Sequence, residues 1–525
     1  VKKLIPLLVM IPLLASCGKK DPLVIPTVDV DSITPNLPTR PTYDVGEMAS
    51  DDNSKFLDIY EVSDFHGAVN AGDSELGLPR LASYLNLKRK ANPGGTVVVS
   101  SGDMFQGSAE SNLTRGYMVN YAMNYMGFDS MAIGNHEFDW TDTWIKKNAD
   151  LAYQNHKIPY ISANIVDKTT SQTPTFLSKS TIIERGGEYK IGIIGSIGET
   201  LKSSILKTCV ENYDFSAQIQ AINAEAAKLK NDDKCDVVIL TAHDDIENLN
   251  GKGLENVDAV FGGHSHSSKK ITIDSTIPAA QTENYGKAVA HIRLAIDKET
   301  KAVSCSTLEV DENPTRLAGL SENNEVKTIM NSYSAAINKI KDIKLGKTDS
   351  TLVKDGALKG ICVESMYQGA LKGIKELGLN IAESDIIATF HNVNGGIRAD
   401  IKEGEIKYGD VYNPFPFDNE IVLYKIRGSK FVSLKSKYSA YAVRRTFGST
   451  SEIDQNKDYY VILTDFLALS SQYFGSAYGC LESELIRTGK VVRDEVANFI
   501  YEKDKIVGDN FLSTVAPYKT ISFLD

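Results

Sequence analysis

The sequence predicts an α/β layered fold, on three observations. Short β-branched runs with the character of buried strands recur between Phe56 and Phe261. Each is followed by glycine or another small residue and then by Asp, Asn or His. Segments of helical spacing fall between the strands, Leu78 to Lys90 and Ala217 to Leu229 among them.

The strands come in order. Phe56-Leu57-Asp58-Ile59-Tyr60-Glu61-Val62 alternates loosely and runs into Ser63-Asp64-Phe65-His66-Gly67. Thr96-Val97-Val98-Val99-Ser100 ends in Ser101-Gly102-Asp103. Ser130-Met131-Ala132-Ile133 leads into Gly134-Asn135-His136-Glu137-Phe138-Asp139. Cys235 to Leu240 leads into Thr241-Ala242-His243-Asp244, and Val257 to Phe261 into Gly262-Gly263-His264-Ser265-His266. In α/β folds, ligands bind in the crevice beyond the carboxyl ends of the strands. Small residues let the backbone turn sharply there.

The residue types name a chemistry. The five loops offer Asp64, His66, Asp103, Asn135, His243, His264 and His266. Mixed imidazole and carboxylate ligands suit zinc, manganese, iron or cobalt better than calcium or magnesium. Seven ligands are too many for one tetrahedral ion and fit two divalent ions ~3.5–4 Å apart with a bridging carboxylate. Asp-x-His on an extended segment would place both side chains on one face, and His264 and His266 share that spacing. His136 is the candidate catalytic imidazole, with Asp139 in reach if the segment turns as a helix. His156 and His291 lack such neighbours and read as structural.

The rest of the chain sets the context. Lys2 and Lys3 precede an apolar run, Leu4 to Ala15, that is shorter than the ~20 residues that span a bilayer. The pattern reads as an export signal. Leu14-Ala15-Ser16-Cys17 resembles the lipobox of bacterial lipoproteins, which implies cleavage before Cys17 and lipidation of its thiol. Residues 18–52, with Pro22, Pro26, Pro35, Pro38 and Pro41 and no apolar period, read as a flexible tether to a membrane, periplasmic or at the cell surface. A net charge of −11 shows no footprint for a nucleic-acid polymer. Cys209, Cys235, Cys305, Cys362 and Cys480 form no C-x-x-C pair, which argues against a thiolate metal site and leaves room for one or two disulfides in an exported chain. No feature speaks to oligomeric state.

Together the strand-end motifs resemble the calcineurin-like metallophosphoesterase signature, in the form found in the 5′-nucleotidase family, over Phe56 to about Val310. The resemblance implies a four-layer α/β/β/α sandwich over residues 53–312. It implies that Asp64, His66, Asp103 and His266 hold one metal, and that Asp103, Asn135, His243 and His264 hold the other. The family often has Gln where His266 stands. It also implies that the His136–Asp139 pair stabilises the transition state and aids the leaving group.

Residues 313–345 read as a linker helix, with Val326, Ile329, Met330, Tyr333, Ile337 and Ile340 at helical spacing. A second, α+β domain is expected over residues 346–525, with strands Ile386 to Phe390, Ile421 to Ile426 and Tyr459 to Leu463. Asn392-Val393-Asn394-Gly395-Gly396-Ile397-Arg398, then Pro414-Phe415-Pro416-Phe417-Asp418-Asn419, then Leu463-Thr464-Asp465-Phe466-Leu467-Ala468 resemble, in that order, the nucleotide-binding domain of the same family. The implied substrate residues are Arg398, Asn394, Phe417, Phe466 and Gln472, the two phenylalanines clamping a base. Departures gather here. The family Asn falls on Val393, its Gly-Gly-Asp-Gly on Ser470-Ser471-Gln472-Tyr473, and an Arg and a Gly-Asn-Leu turn on Lys354 and Lys359-Gly360-Ile361. The expectation is a two-metal phosphohydrolase acting on nucleotide monoesters outside the cytoplasm. Its alternatives are the same chemistry on 2′,3′-cyclic nucleotides, nucleotide sugars or sugar phosphates, and a non-catalytic metal-containing surface protein.

Overall fold

The computed structural model describes residues 22–434, 441–470 and 474–506. The signal segment, Cys17 and Gln472 lie outside them. Two six-stranded sheets form the first domain. One runs, in spatial order, Val303–Asp311, Val289–Asp297, Ser54–Glu61, Thr96–Ser100, Ser130–Ala132 and Tyr160–Ile161. The other runs Lys269–Ile273, Ile277–Gln281, Ala259–Gly262, Val237–His243, Tyr189–Ile197 and Ser180–Arg185. Leu57, Ile59, Val97 and Val99 of the first meet Ile191, Ile193, Val237 and Ile239 of the second in a shared buried core. Helices cover the outer faces. Leu81, Leu85, Val119, Met123 and Ile329 share the core of the first sheet's outer face, and Ile222, Ala226 and Leu229 do so for the second. This is the four-layer sandwich that the family motifs imply.

The topology places the motif loops together. Ser54–Glu61, Thr96–Ser100 and Ser130–Ala132 are parallel neighbours in one sheet. Val237–His243 and Ala259–Gly262 are parallel neighbours in the other. Their carboxyl ends therefore open on one crevice.

Two expected boundaries shift. The linker helix spans Asn324–Lys341, not the whole of 313–345: Pro314 opens a short 3-10 turn, Pro314–Arg316, and the Asn323 side chain caps the true start by accepting from Val326 N–H. The tether expectation fails for residues 22–52, which lie as a strap along the first domain. Arg40 Nε donates to Asn124 O at 2.9 Å, Tyr153 Oη to Pro38 O at 2.5 Å, and Tyr43 lies under the Arg89 guanidinium at 4.1 Å. Val30 and Met48 are buried, while Leu23 and Ile25 pack on the core of the second domain. Prolines here restrict the chain to an extended path, and scattered apolar residues without a period find a preformed surface.

In the second domain, a five-stranded sheet orders Tyr441–Arg445, Ile386–Asn392, Asp458–Thr464, Glu420–Arg427 and Leu485–Val491. The helices Lys359–Glu376 and Val492–Lys503 pack on one face of it. The five cysteines from Cys209 onward are free thiols, so no disulfide joins them. Among the described residues no helix is long and apolar enough to cross a membrane.

If the strap belongs to the folded unit, Met48→Ala should cost about 2–5 kcal/mol, as for other buried large-to-small changes. Denaturant unfolding measures it; an unchanged midpoint would mean the strap contributes nothing.

Candidate metal centre and cleft

Backbone strain shapes the crevice. Asp64, His66, Asp103, His264 and His266 all adopt left-handed backbone, with φ of 48, 48, 55, 70 and 55°. Each costs on the order of 1 kcal/mol or more outside glycine, and Asp and His tolerate it better than most residues. This corrects the expectation of an extended Asp-x-His segment. The two side chains converge because left-handed residues alternate with ordinary ones, not because of a strand pleat. Gly134 permits the close approach of the loops: a Cβ there would lie 2.2 Å from Asp103 Oδ1.

Two ligand clusters result. Asp64, His66 and His266 form one, and Asp103, His243 and His264 the other, with the ligand atoms of each within 4.8 Å of one another. His66 Nε2 is 3.0 Å from His266 Nε2, and His266 Nε2 is 3.5 Å from Asp64 Oδ1. In the second cluster His243 Nε2 is 3.1 Å from Asp103 Oδ2, while Asn135 Oδ1 lies 3.1 Å from His243 Nε2 and 3.0 Å from His264 Nδ1. All seven expected ligands thus gather in one place.

The donor set fits two divalent cations. Asp64 and Asp103 are buried, and burying a carboxylate costs several kcal/mol unless it is compensated. Burial pulls the imidazoles of His66 and His264 down to about 3 and about 4, which keeps them neutral as metal ligation requires. Burial also opposes charge on His243, but Asp103, with Asp64 and Glu137, pushes it up to about 10. A proton there and a metal ion would answer the same negative field. Ring orientation is fixed from behind: His66 Nδ1 is 2.9 Å from Gln106 O, His243 Nδ1 2.8 Å from Ser101 O, and His266 Nδ1 2.9 Å from Asn284 Nδ2.

Glu137 is a residue that sequence reasoning quoted without giving it a task. Its buried carboxylate accepts from the backbone N–H groups of Asp103 at 2.9 Å, Met104 at 2.9 Å and Gly134 at 2.8 Å. It ties the Asp103 loop to the Asn135 loop.

His136–Trp140 is a 3-10 helix, whose three-residue turn eclipses residues i and i+3. His136 Nδ1 therefore meets Asp139 Oδ2 at 2.9 Å. Burial pulls the His136 pKa down, but Asp139 and Asp103 outweigh it and the net shift is upward. Burial raises Asp139, and its imidazole partner offsets that only in part.

Beside this pair a cleft of about 190 Å³ opens between the domains. Phe417, Phe466 and Arg398 line it, the Phe417 ring 5.8 Å from His136 and the Arg398 guanidinium 5.1 Å over Phe417. Asn394 does not line it. It is exposed, and its carbonyl accepts from the Asn392 side chain at 3.2 Å. Asn392 lines the cleft instead, with its buried Oδ1 unpartnered. Next to the tight Gly395-Gly396 turn Asn394 faces outward and Asn392 inward, which sequence spacing alone did not reveal. His156 and His291 are structural, bonded to Asn124 Oδ1 at 3.1 Å and Asp58 Oδ1 at 2.7 Å.

Residues 57–268 match the family model for calcineurin-like phosphoesterases, and residues 382–434 that for the 5′-nucleotidase C-terminal domain. The 5′-nucleotidase of Bos taurus is 26% identical over 445 residues, covering 78% of this chain and 71% of its own. The chain belongs to the 5′-nucleotidase family. It is a metal-dependent phosphoester hydrolase. The crystal structure of a 5′-nucleotidase precursor from Thermus thermophilus shares the fold at a TM-score of 0.68 and 17% identity, covering 86% of this chain and 97% of that one. A sulfate thiohydrolase from Thermus thermophilus shares it too, at 0.61 and 15%, covering 90% and 96%. The fold therefore hosts more than one chemistry, and the site must decide.

Glu137→Gln preserves volume but turns a donor toward backbone N–H. Metal affinity should fall about 10–100-fold, read by competition with a chelating dye; unchanged affinity would remove Glu137 from shaping the centre. A second expectation concerns the domain seam, where Asp418 bridges Arg115 at 2.9 Å and Arg493 at 2.5 Å. Burial raises this carboxylate, but Arg493 and Arg115 more than offset it and hold it at about 2, below 3.8. A depressed carboxylate stabilises fully above its unfolded value, ~3.9, and the contribution is lost as pH falls through the folded value. The melting-temperature gap between the native chain and Asp418→Asn should hold from pH 8 to 5 and close toward pH 2. A gap that persists at pH 2 would exclude the charge tie.

Proposed function

We propose that this chain is an exported, lipid-anchored phosphohydrolase that removes phosphate from nucleotide monoesters with the help of two divalent ions. The observation that carries this reading is the position of His136. It faces Asp103 of the metal cluster on one side and the Phe417 ring of the second domain on the other. A phosphate held at the ligand clusters would then place its leaving oxygen beside His136 and its organic group against Phe417 and Phe466.

Asp64, His66, Asp103, Asn135, His243, His264 and His266 would hold the ions, which supply Lewis-acid polarisation of the phosphoryl group and lower the pKa of water. Arg398 contributes a fixed positive charge at the mouth of the cleft. His136, its Nδ1–H directed at Asp139, can give a proton from Nε2 to the departing oxygen. Asp139 holds the ring in that tautomer and supports its charge. Phe417 and Phe466 offer ring faces for a base, and such stacking is worth ~1–3 kcal/mol per base. Export and anchoring rest on the basic start, the apolar run and Cys17. The substitutions at Ser470-Ser471-Gln472-Tyr473, where the family carries a ribose-binding Asp, favour weak discrimination between ribose and other sugars.

His136→Ala should lower kcat by about 10²–10⁴ with both metals retained by elemental analysis; full turnover would remove His136 from the mechanism. Chelation should abolish hydrolysis of simple chromogenic phosphate esters, and manganese or zinc should restore it. If a nucleoside 5′-monophosphate is turned over no better than those esters, the nucleotide reading falls.

A further inference from the structure

The ligand imidazoles do not all have the same kind of partner behind them. His66 Nδ1 lies 2.9 Å from Gln106 O, and His243 Nδ1 2.8 Å from Ser101 O. A backbone carbonyl can only accept. These two rings therefore carry a proton on Nδ1, and in the neutral ring Nε2 is the bare nitrogen that a metal ion takes. His266 Nδ1 instead lies 2.9 Å from Nδ2 of the Asn284 side chain. An amide nitrogen can only donate.

Followed from Gln106, the bonds run one way. His66 Nδ1–H donates to Gln106 O, so its bare Nε2 accepts at 3.0 Å from His266 Nε2–H. In the neutral His266 ring Nδ1 is then bare, and it accepts from Asn284 Nδ2. Each donor meets an acceptor. Yet the proton of His266 stands on Nε2, the atom that faces Asp64 Oδ1 at 3.5 Å and His66 Nε2 at 3.0 Å. A ring protonated there cannot ligate through that nitrogen.

The Asn284 amide can resolve this conflict. Turned about its Cβ–Cγ bond, it presents Oδ1, an acceptor, where Nδ2 now stands. The turn breaks one bond, since that side chain makes no other among the described residues. Asn284 is half-buried and the His266 side chain is 29% exposed, so water reaches both. The backbone beneath stays fixed. Tyr285 N–H donates to Asp64 O at 2.9 Å, Leu76 N–H to Gly286 O at 3.2 Å, and Gln281 Nε2 to Ser265 Oγ at 2.5 Å.

We propose that Asn284 is a positioning residue of the metal centre: its amide turns to accept from His266 Nδ1–H, which frees Nε2 for the ion that Asp64, His66 and His266 would hold. The inference rests on the two-metal reading. Protons balance. One leaves Nε2 for solvent, one from solvent joins Nδ1, and the ring stays neutral. A ring backed by a carbonyl needs neither the rotation nor the exchange. This site is thus tuned by a side chain, so one substitution can weaken or preserve it.

The test titrates zinc against a chelating dye with the full chain. It also reads the imidazole N–H groups of the zinc-loaded protein by NMR of nitrogen-labelled histidine. The native protein should hold two zinc ions and show a His266 Nδ1–H protected from exchange. Asn284→Leu, of similar volume but without an acceptor, should weaken one zinc ion about 10–100-fold, as loss of a ligand's hydrogen-bond partner does. It should leave the other ion within about threefold and lose the protected signal. Asn284→Ala serves if leucine disturbs the turn. Asn284→Asp, whose carboxylate accepts in either rotamer, should keep the signal and bind zinc no more weakly than the native chain. Equal losses at both sites, unchanged affinity in both apolar variants, or an Asp variant that fails as leucine does would overturn the role of Asn284 and leave the two-metal reading standing. A native chain that holds fewer than two zinc ions would overturn the two-metal reading and this inference with it.

Discussion

Two buried carboxylates, Asp64 and Asp103, face one small volume, and the rest of the centre is arranged around that electrostatic problem. Backbone amides answer part of it: His264 N–H reaches both oxygens of Asp64 at 3.0 Å, and His136 N–H reaches Asp103 Oδ1 at 2.8 Å. Imidazoles answer another part. Neither supplies two positive charges, and divalent cations do. To bring five loops this close, the chain accepts left-handed backbone at five ligands and glycine where a side chain would collide. Such strain persists only where surrounding structure over-determines it. The sheet-on-sheet core just beneath provides that rigidity, because its residues are almost wholly buried.

A second constraint is the seam between domains. The cleft exists only because the second domain is held against the first. Asn112 Nδ2 donates to Pro416 O at 2.8 Å, and Arg115 pairs with Asp418. Arg493 anchors the other side of Asp418, donating to Tyr408 Oη at 3.0 Å and lying 4.0 Å from the Tyr412 ring centre. The N-terminal strap adds an apolar tie, since Val28 packs on the cores of both domains. Phe417 thus reaches His136 through a chain of fixed contacts rather than through its own loop.

Legibility followed sequence distance. The seven candidate ligands sit in short runs at strand ends, so residue type and local order were enough to pick out residues that the structure gathers in one place, and the His136–Asp139 contact needed only the assumption of a turn. The strand and helix cores were legible from period and β-branching. The strap was not, because Val30 and Met48 are buried, and Tyr43 half-buried, by a surface made elsewhere, and isolated apolar residues among prolines carry no period. Asn392 was passed over in favour of Asn394 because the Gly395-Gly396 turn decides which amide faces inward. Gln106 and Glu137 were hidden for another reason. Their importance lies in which backbone or cavity they meet, and neither residue type advertises that.

This division explains why the reaction is better determined than the substrate. Phosphoryl chemistry needs charge at fixed points, and one domain supplies those points from contiguous motifs. In the proposed reaction, recognition of what the phosphate carries would be shared across the seam, where Arg398 and Phe417 of one domain face His136 and Gln106 of the other. A change on either side of the seam can therefore alter specificity without disturbing the ligand clusters. Apart from His266, where the family often has Gln, the departures in this chain fall on the second domain, while the strand-end loops of the first keep a competent donor at every candidate ligand position. His136 belongs to both sets, being next to ligand Asn135 and stacked near Phe417. In the proposed reaction it would be the point at which the identity of the organic group is felt by the chemistry, through the placement of the leaving oxygen relative to one imidazole.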